Sequence, residues 1–204
     1  MKSISFLTAI TVILFASACS SGGSSGGEKV VVWSSGNIVS DPANKTTITF
    51  EPGNRHNELE IALSGSDKTF TVKSASGDKT YEIPDNATYL LNLKADTIIG
   101  SYVNFGAGQQ TSRLESETVD RMIDSTLKLM SGEGASEASR SYNLPPNTIR
   151  KISANGNANL LSPYKTIPYE VTPDEKGNAP EYYKFFTNKQ KREALKELID
   201  RLSK

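Results

Sequence analysis

From residue 28 to residue 105 the hydrophobic pattern is that of strands. Val30-Val31-Val32-Trp33 is a short apolar run, and the turn-forming residues between Ser34 and Asn44 close it. Ile48 and Phe50 then alternate with Thr47 and Thr49. Leu59, Ile61 and Leu63 face one way, with Glu58, Glu60 and Ala62 the other. Phe70 and Val72 repeat the alternation after Ser64-Gly65-Ser66-Asp67, which predicts a hairpin between the two runs. Ser76-Gly77-Asp78 predicts a further turn, and Pro84 ends the next strand because proline cannot donate to a ladder. Tyr89, Leu91 and Leu93 alternate again, and Thr97–Phe105 makes a last strand. Runs recurring about every ten to twelve residues predict an antiparallel, sandwich-like β module over 28–105.

Beyond Gly106–Gln110 the period changes. Ser112-Arg113-Leu114-Glu115 fits a capping box, and Val119, Met122, Ile123, Leu127 and Met130 fall on one helical face. Asp124 with Lys128, and Glu117 with Arg121, are helical pairs on the wet side, and Gly132 and Gly134 end the helix. Ala135–Tyr142 is expected to add a helical turn or two. Short strands follow between 147 and 171, where Ile167, Tyr169 and Val171 alternate. Tyr182–Phe186 predicts an aromatic strand. Thr187–Gln190 is a second capping box, opening a C-terminal amphipathic helix with Leu195, Leu198, Ile199 and Leu202 on one stripe. That stripe is expected to dock on the aromatic strand, since a short helix is marginal alone. Residues 106–204 thus form a small α+β module, and the fold class is β-rich α+β.

Residues 1–27 carry a different signal. Lys2 precedes an apolar run from Ile4 to Ala16, too short for a hydrocarbon core that needs about 20 residues. The small residues Ala16, Ser17 and Ala18 then lead to Cys19, the single cysteine of the chain, which has no intramolecular disulfide partner. This segment resembles a bacterial lipoprotein signal peptide. The resemblance implies removal of residues 1–18, acylation of Cys19 and a membrane partner through the lipid anchor. Ser20 follows the cysteine where an Asp would mark retention at the inner membrane, so the resemblance implies an outer-membrane lipoprotein, here expected on the periplasmic face. Residues 19–27 form a Ser/Gly tether, whose last eight residues have a root-mean-square reach of roughly 15 Å. No later segment approaches spanning length.

Composition narrows the function. Of 23 basic and 23 acidic residues only Lys2 lies within the first 18, so the remainder nets −1. That balance gives no electrostatic case for a nucleic-acid partner. His56, the only histidine, lies in a Gly53–Asn57 turn, and a single imidazole cannot furnish a zinc site, so no metal or other cofactor is expected. No G-x-S-x-G turn accompanies a serine, and Glu58 and Glu60 read as a solvated sheet face. Tyr182, Tyr183, Phe185 and Phe186 are the candidate recognition surface: alternation buries one pair and leaves the other either to pack under the C-terminal helix or to offer a platform for a sugar or a peptide. Lys151–Asn155, Ser162-Pro163-Tyr164, Ile167-Pro168 and Pro180–Lys189 together resemble small uncharacterised lipoproteins of Bacteroidota, which implies a compartment and no activity. The expected function is that of a non-enzymatic, lipid-anchored cell-envelope protein, binding an envelope protein or glycan partner or supporting an assembly. A small envelope hydrolase acting on glycan or peptide and a carbohydrate-binding module are the alternatives.

Overall fold

A computed structural model describes residues 28–105, 116–173 and 179–202. Cys19 with its tether, the Ser112–Glu115 capping box and residues 174–178 lie outside the described residues. In chain order the elements are β1 (Lys29–Ser40), β2 (Thr47–Ala62), β3 (Thr69–Ser74), β4 (Lys79–Glu82), β5 (Thr88–Leu93), β6 (Ile98–Tyr102) and α1 (Ser116–Ser131), then β7 (Ser141–Leu144), β8 (Thr148–Ser153), β9 (Asn159–Leu161), β10 (Tyr182–Thr187) and α2 (Asn188–Leu202). The chain is a β-rich α+β protein. One sheet has six strands in the order β4-β3-β2-β1-β5-β8, the other four in the order β7-β6-β10-β9. No helix among the described residues is long and apolar enough to cross a membrane.

The apolar run Val30–Trp33 does not alternate because β1 is buried on both faces. Val30 and Val32 point into a core with Ile48, Ile61, Phe70 and Leu91, whereas Val31 and Trp33 point to a second core with Leu90, Ile98, Leu144 and Phe185. All six residues of β5 are buried for the same reason, and it runs parallel to β1, from Lys29 opposite Thr88 to Ser34 opposite Leu93. Asn92, buried between the sheets, donates to Leu144 O at 2.9 Å and ties β5 to β7.

Several expectations are corrected here. The sheets are mixed and not antiparallel: β1 with β5, β2 with β3, and β9 with β10 are parallel pairs. The strands do not sort by a division near residue 105, because β6 sits in the four-stranded sheet while β8 edges the six-stranded one. The expected hairpin between Glu58–Ser64 and Phe70–Val72 does not form. Alternation assigned their faces but not their neighbours, and β3 lies beside the first part of β2, Thr47 opposite Thr71 and Phe50 opposite Ser74. β2 also runs through Gly53–Asn57, where a turn is predicted. Its register with β1 jumps from Ser35–His56 to Gly36–Pro52, so residues 53–55 bulge out. Gly36 makes the bulge feasible: its φ is +136° and a Cβ there would fall 2.1 Å from Glu51 O. Ser34 Oγ (3.0 Å) and Asn57 Nδ2 both donate to the Gly36 carbonyl.

Ala135–Arg140 forms turns that lead into β7, not a helix. Ile167–Val171 makes no strand, as Pro168 lacks a donor. The second capping box is as expected: Thr187 N–H donates to Gln190 Oε1 at 3.0 Å, and Gln190 N–H to Thr187 Oγ1 at 3.2 Å. The docking of α2 is not. None of its residues is buried, and Ile199 and Leu202 remain about half exposed, because Phe186 is covered by the stem of Lys191 from the first turn of α2, with Nζ 4.3 Å from the ring centre.

Candidate functional site

The aromatic strand splits by face. Tyr183 and Phe185 turn into the inter-sheet core, where Phe185 meets Trp33 edge-on at 5.3 Å and Tyr183 meets Tyr102 at 5.7 Å. The Tyr183 hydroxyl accepts from Arg140 Nη2 at 2.8 Å, and the same guanidinium pairs with Glu181 at 3.0 Å and covers the Tyr102 ring at 3.5 Å. Burial pushes the Tyr183 phenol up. Tyr182 and Phe186 take the opposite face and are half-buried, Tyr182 against Phe105 at 5.4 Å and Phe186 beneath Lys184 and Lys191. The four candidate aromatics therefore do not form one platform.

A concave site lies elsewhere. The six-stranded sheet curls around its first core until its edges approach. Lys79 Nζ on β4 donates to Asn147 O, just before β8, at 2.7 Å, and Tyr81 Oη donates to the same oxygen at 3.2 Å. Asn147 can present that carbonyl because it adopts φ +57° while its own N–H donates to Asn92 O at 2.7 Å. Inside this closure Phe50, Val72, Tyr81 and Leu93 floor a recess of about 540 Å³, rimmed by the Ser74–Lys79 turn and Pro52. Burial pushes the Tyr81 phenol up, so at neutral pH it stays a donor, and the Lys79 ammonium lies 5.0 Å from the centre of its ring. An apolar floor with a few polar groups at the mouth of a curled sheet is a common setting for a ligand. β5 runs from Thr88, beside Lys29, to Leu93 in this floor, so the recess opens at the end of the sheet opposite the entry of the chain. Sequence reasoning missed it because the four floor residues sit on four strands.

His56 follows the bulge of β2, in register with Ser35, and is joined to a polar cluster. Its Nε2 lies 2.8 Å from Glu58 Oε1, two residues on along the same strand face, and Lys165 Nζ donates to Glu58 Oε2 at 2.6 Å. Tyr164 lies across the imidazole at 4.6 Å, with Lys94 Nζ 5.6 Å from the centre of its ring. Lys94 is buried and donates to Ser34 O at 3.4 Å, and burial pushes its ammonium down although Glu58 opposes this. Burial alone would raise the Glu58 carboxyl, but the hydrogen bonds from Lys165 and His56 outweigh it and hold the group below its ordinary value. A depressed carboxyl adds stability above its unfolded-state value of 4.5 and loses it as pH falls through the lower folded value. Glu58→Gln should therefore be less stable than the parent at pH 7, and the gap should close towards about pH 3. Thermal unfolding at both pH values checks this; a gap that does not shrink in acid sinks it. No group of three or more His, Cys, Asp or Glu among the described residues is placed to hold a metal ion.

The helices form a third feature. Val119 is buried and Asn143 Nδ2 caps the end of α1 by donating to Leu129 O at 2.9 Å, which seats α1 on the edge strand β7. Between α1 and α2 runs an apolar groove lined by Ile123, Leu127, Met130, Leu195 and Ile199, with Arg192 and Lys196 on its rim. Comparison of the chain with protein-family models, with curated proteins and with solved structures gives no match.

Proposed function

We propose that this is a lipid-anchored, non-enzymatic protein of the cell envelope, held by Cys19 at the outer membrane and facing the periplasm, that binds an envelope partner in the recess at the end of its curled sheet. The two sheets, facing each other across the Trp33 core, are read as a sandwich-like pair that holds this recess in shape. The observation that carries the proposal is the recess itself: four apolar side chains brought together from four strands, opening at the end away from the entry of the chain. The apolar run ending at Ala16-Ser17-Ala18-Cys19 supports the anchor. A partner that offers an apolar group flanked by a hydrogen-bond acceptor suits a floor of Phe50, Val72 and Leu93 beside the Lys79 ammonium, which has N–H groups beyond the one given to Asn147 O.

Two substitutions test the two halves of this reading. Cys19→Ser should block processing or release the chain from membranes, and unchanged partitioning would remove the anchor. Ala75→Trp places a large side chain on the exposed rim of the recess, clear of the core. It should abolish capture of the envelope components that the parent retains while shifting the thermal midpoint by no more than about 2 °C. Equal capture by Ala75→Trp would show that the recess is not the site.

A further inference from the structure

Large apolar side chains are left exposed almost entirely on one layer of the molecule. Among the described residues eight are exposed, and seven of them, all but Val39, belong to α1, α2 or the 162–171 segment. These are Met122, Leu127, Tyr164, Ile167, Tyr169, Ile199 and Leu202, with exposures from 44% to 89%. α1 and α2 flank the four-stranded sheet, and the 162–171 segment meets its outward side through backbone carbonyls, while its Tyr164 and Lys165 side chains reach His56 and Glu58 of the six-stranded sheet. The carbonyls of Ser162 and Lys165 accept from Lys184 Nζ, which points outward from β10, at 2.6 and 2.5 Å. Lys191 of α2 covers Phe186 on that same face, and α1 closes the groove against α2.

We infer that this layer rests on a phospholipid bilayer, with the α1–α2 groove against the acyl boundary and Arg192 and Lys196 reaching anionic headgroups. The inference rests on the proposal that Cys19 is acylated. Given that anchor, nine residue steps separate Cys19 from Glu28, at most about 30 Å of extended chain. A domain of this length has a radius of gyration of about 16 Å. The tether therefore keeps the domain close enough for one face to lie on the membrane, and the layer that exposes apolar groups is the one that gains by it. The groove's chemistry agrees, since its only charged lining residues are cations, and the exposed Tyr169 suits the interfacial zone. A second copy fits less well, because a two-fold contact through the groove would gather the Arg192 and Lys196 cations of both copies in one interface, with no acidic residue lining the groove to offset them.

The test uses the full chain reconstituted into vesicles of phosphatidylethanolamine and phosphatidylglycerol. Leu127→Cys, Leu202→Cys and Val39→Cys are each labelled with an environment-sensitive fluorophore; Cys19 is the only native cysteine, so acylation leaves the new thiol as the one to label. Labels at 127 and 202 should be quenched by brominated lipid about twofold or more above the label at 39, and Arg192→Glu with Lys196→Glu should lower that quenching. Quenching at 127 and 202 no greater than at 39 would overturn the inference. So would labels at 127 and 202 that become buried without lipid as protein concentration rises, which would assign the groove to a second copy. Mass spectrometry of the same sample reports acylation of Cys19, so failure of the anchor is distinguished from failure of the bilayer-facing layer.

Discussion

Gly100→Ala should lower the thermal midpoint by roughly 10 °C, at the upper end of what one added methyl group does to a core. Gly100 lies on β6 directly opposite Phe185 on β10, and both face the inter-sheet core. A Cβ at this position would fall 2.3 Å from Phe185 Cδ1 and 2.6 Å from Lys184 O. The ring cannot step aside, because it is fully buried, with Trp33 at 5.3 Å and Tyr142 at 6.3 Å. The carbonyl is fixed by the ladder. Overpacking costs about 1–3 kcal/mol where side chains can adjust, and more where backbone must move. Against a total stability of about 5–15 kcal/mol that is a large fraction. Phe185→Leu in the Gly100→Ala background should recover part of the loss, since the clash lies between those two side chains. Circular dichroism melts of the two single variants and the double variant measure this coupling. A midpoint for Gly100→Ala within about 1 °C of the parent would show that the sheet relaxes there freely.

Side-chain faces were legible in the sequence, and strand neighbours were not. The alternation at Leu59, Ile61 and Leu63 and the strand at Tyr182–Phe186 follow from period-2 patterning, which acts within one segment. The capping box at Thr187–Gln190 is local too, three residues reaching back to one another. Pairing is decided by loop closure and by competition for edges. Nothing in Phe70-Thr71-Val72 says that it prefers the first part of β2 to the second. The run Val30–Trp33 held a clue of another kind: four apolar residues without alternation mark a strand buried on both faces, which requires a second layer. The stripe on α2 was legible as a stripe, but amphipathicity does not name what covers it. The recess had no signature at all, because Phe50, Val72, Tyr81 and Leu93 meet only once the sheet has curled. The His56–Glu58 pair did have one, since residues two apart on a strand share a face.

Trp33→Ala should be the most damaging single truncation, costing about 3–5 kcal/mol and therefore lowering the thermal midpoint by roughly 10–15 °C. Trp33 is fully buried on the face of β1 that looks toward the four-stranded sheet, and it meets Phe185 edge-on with the ring planes at 76°. Removing it opens a void between the two sheets, where β1 and β5 cannot close up without breaking their register with β2 and β8. Its indole N–H is buried and has no protein partner, so its contribution is chiefly packing and area. Trp33→Phe, which keeps most of that packing and leaves no polar partner behind, should accordingly cost about 2 kcal/mol or less. Leu127→Ala on the exposed layer should stay within about 0.5 kcal/mol, which sets the scale for a residue outside the core. As the only tryptophan, Trp33 also reports on its own surroundings. The folded parent should emit at a short, apolar wavelength and shift to the red in the same denaturant range in which circular dichroism is lost. Should Trp33→Ala unfold no more readily than Leu127→Ala, or should the emission shift well before the sheet signal disappears, the two sheets are not one cooperative unit built on this side chain.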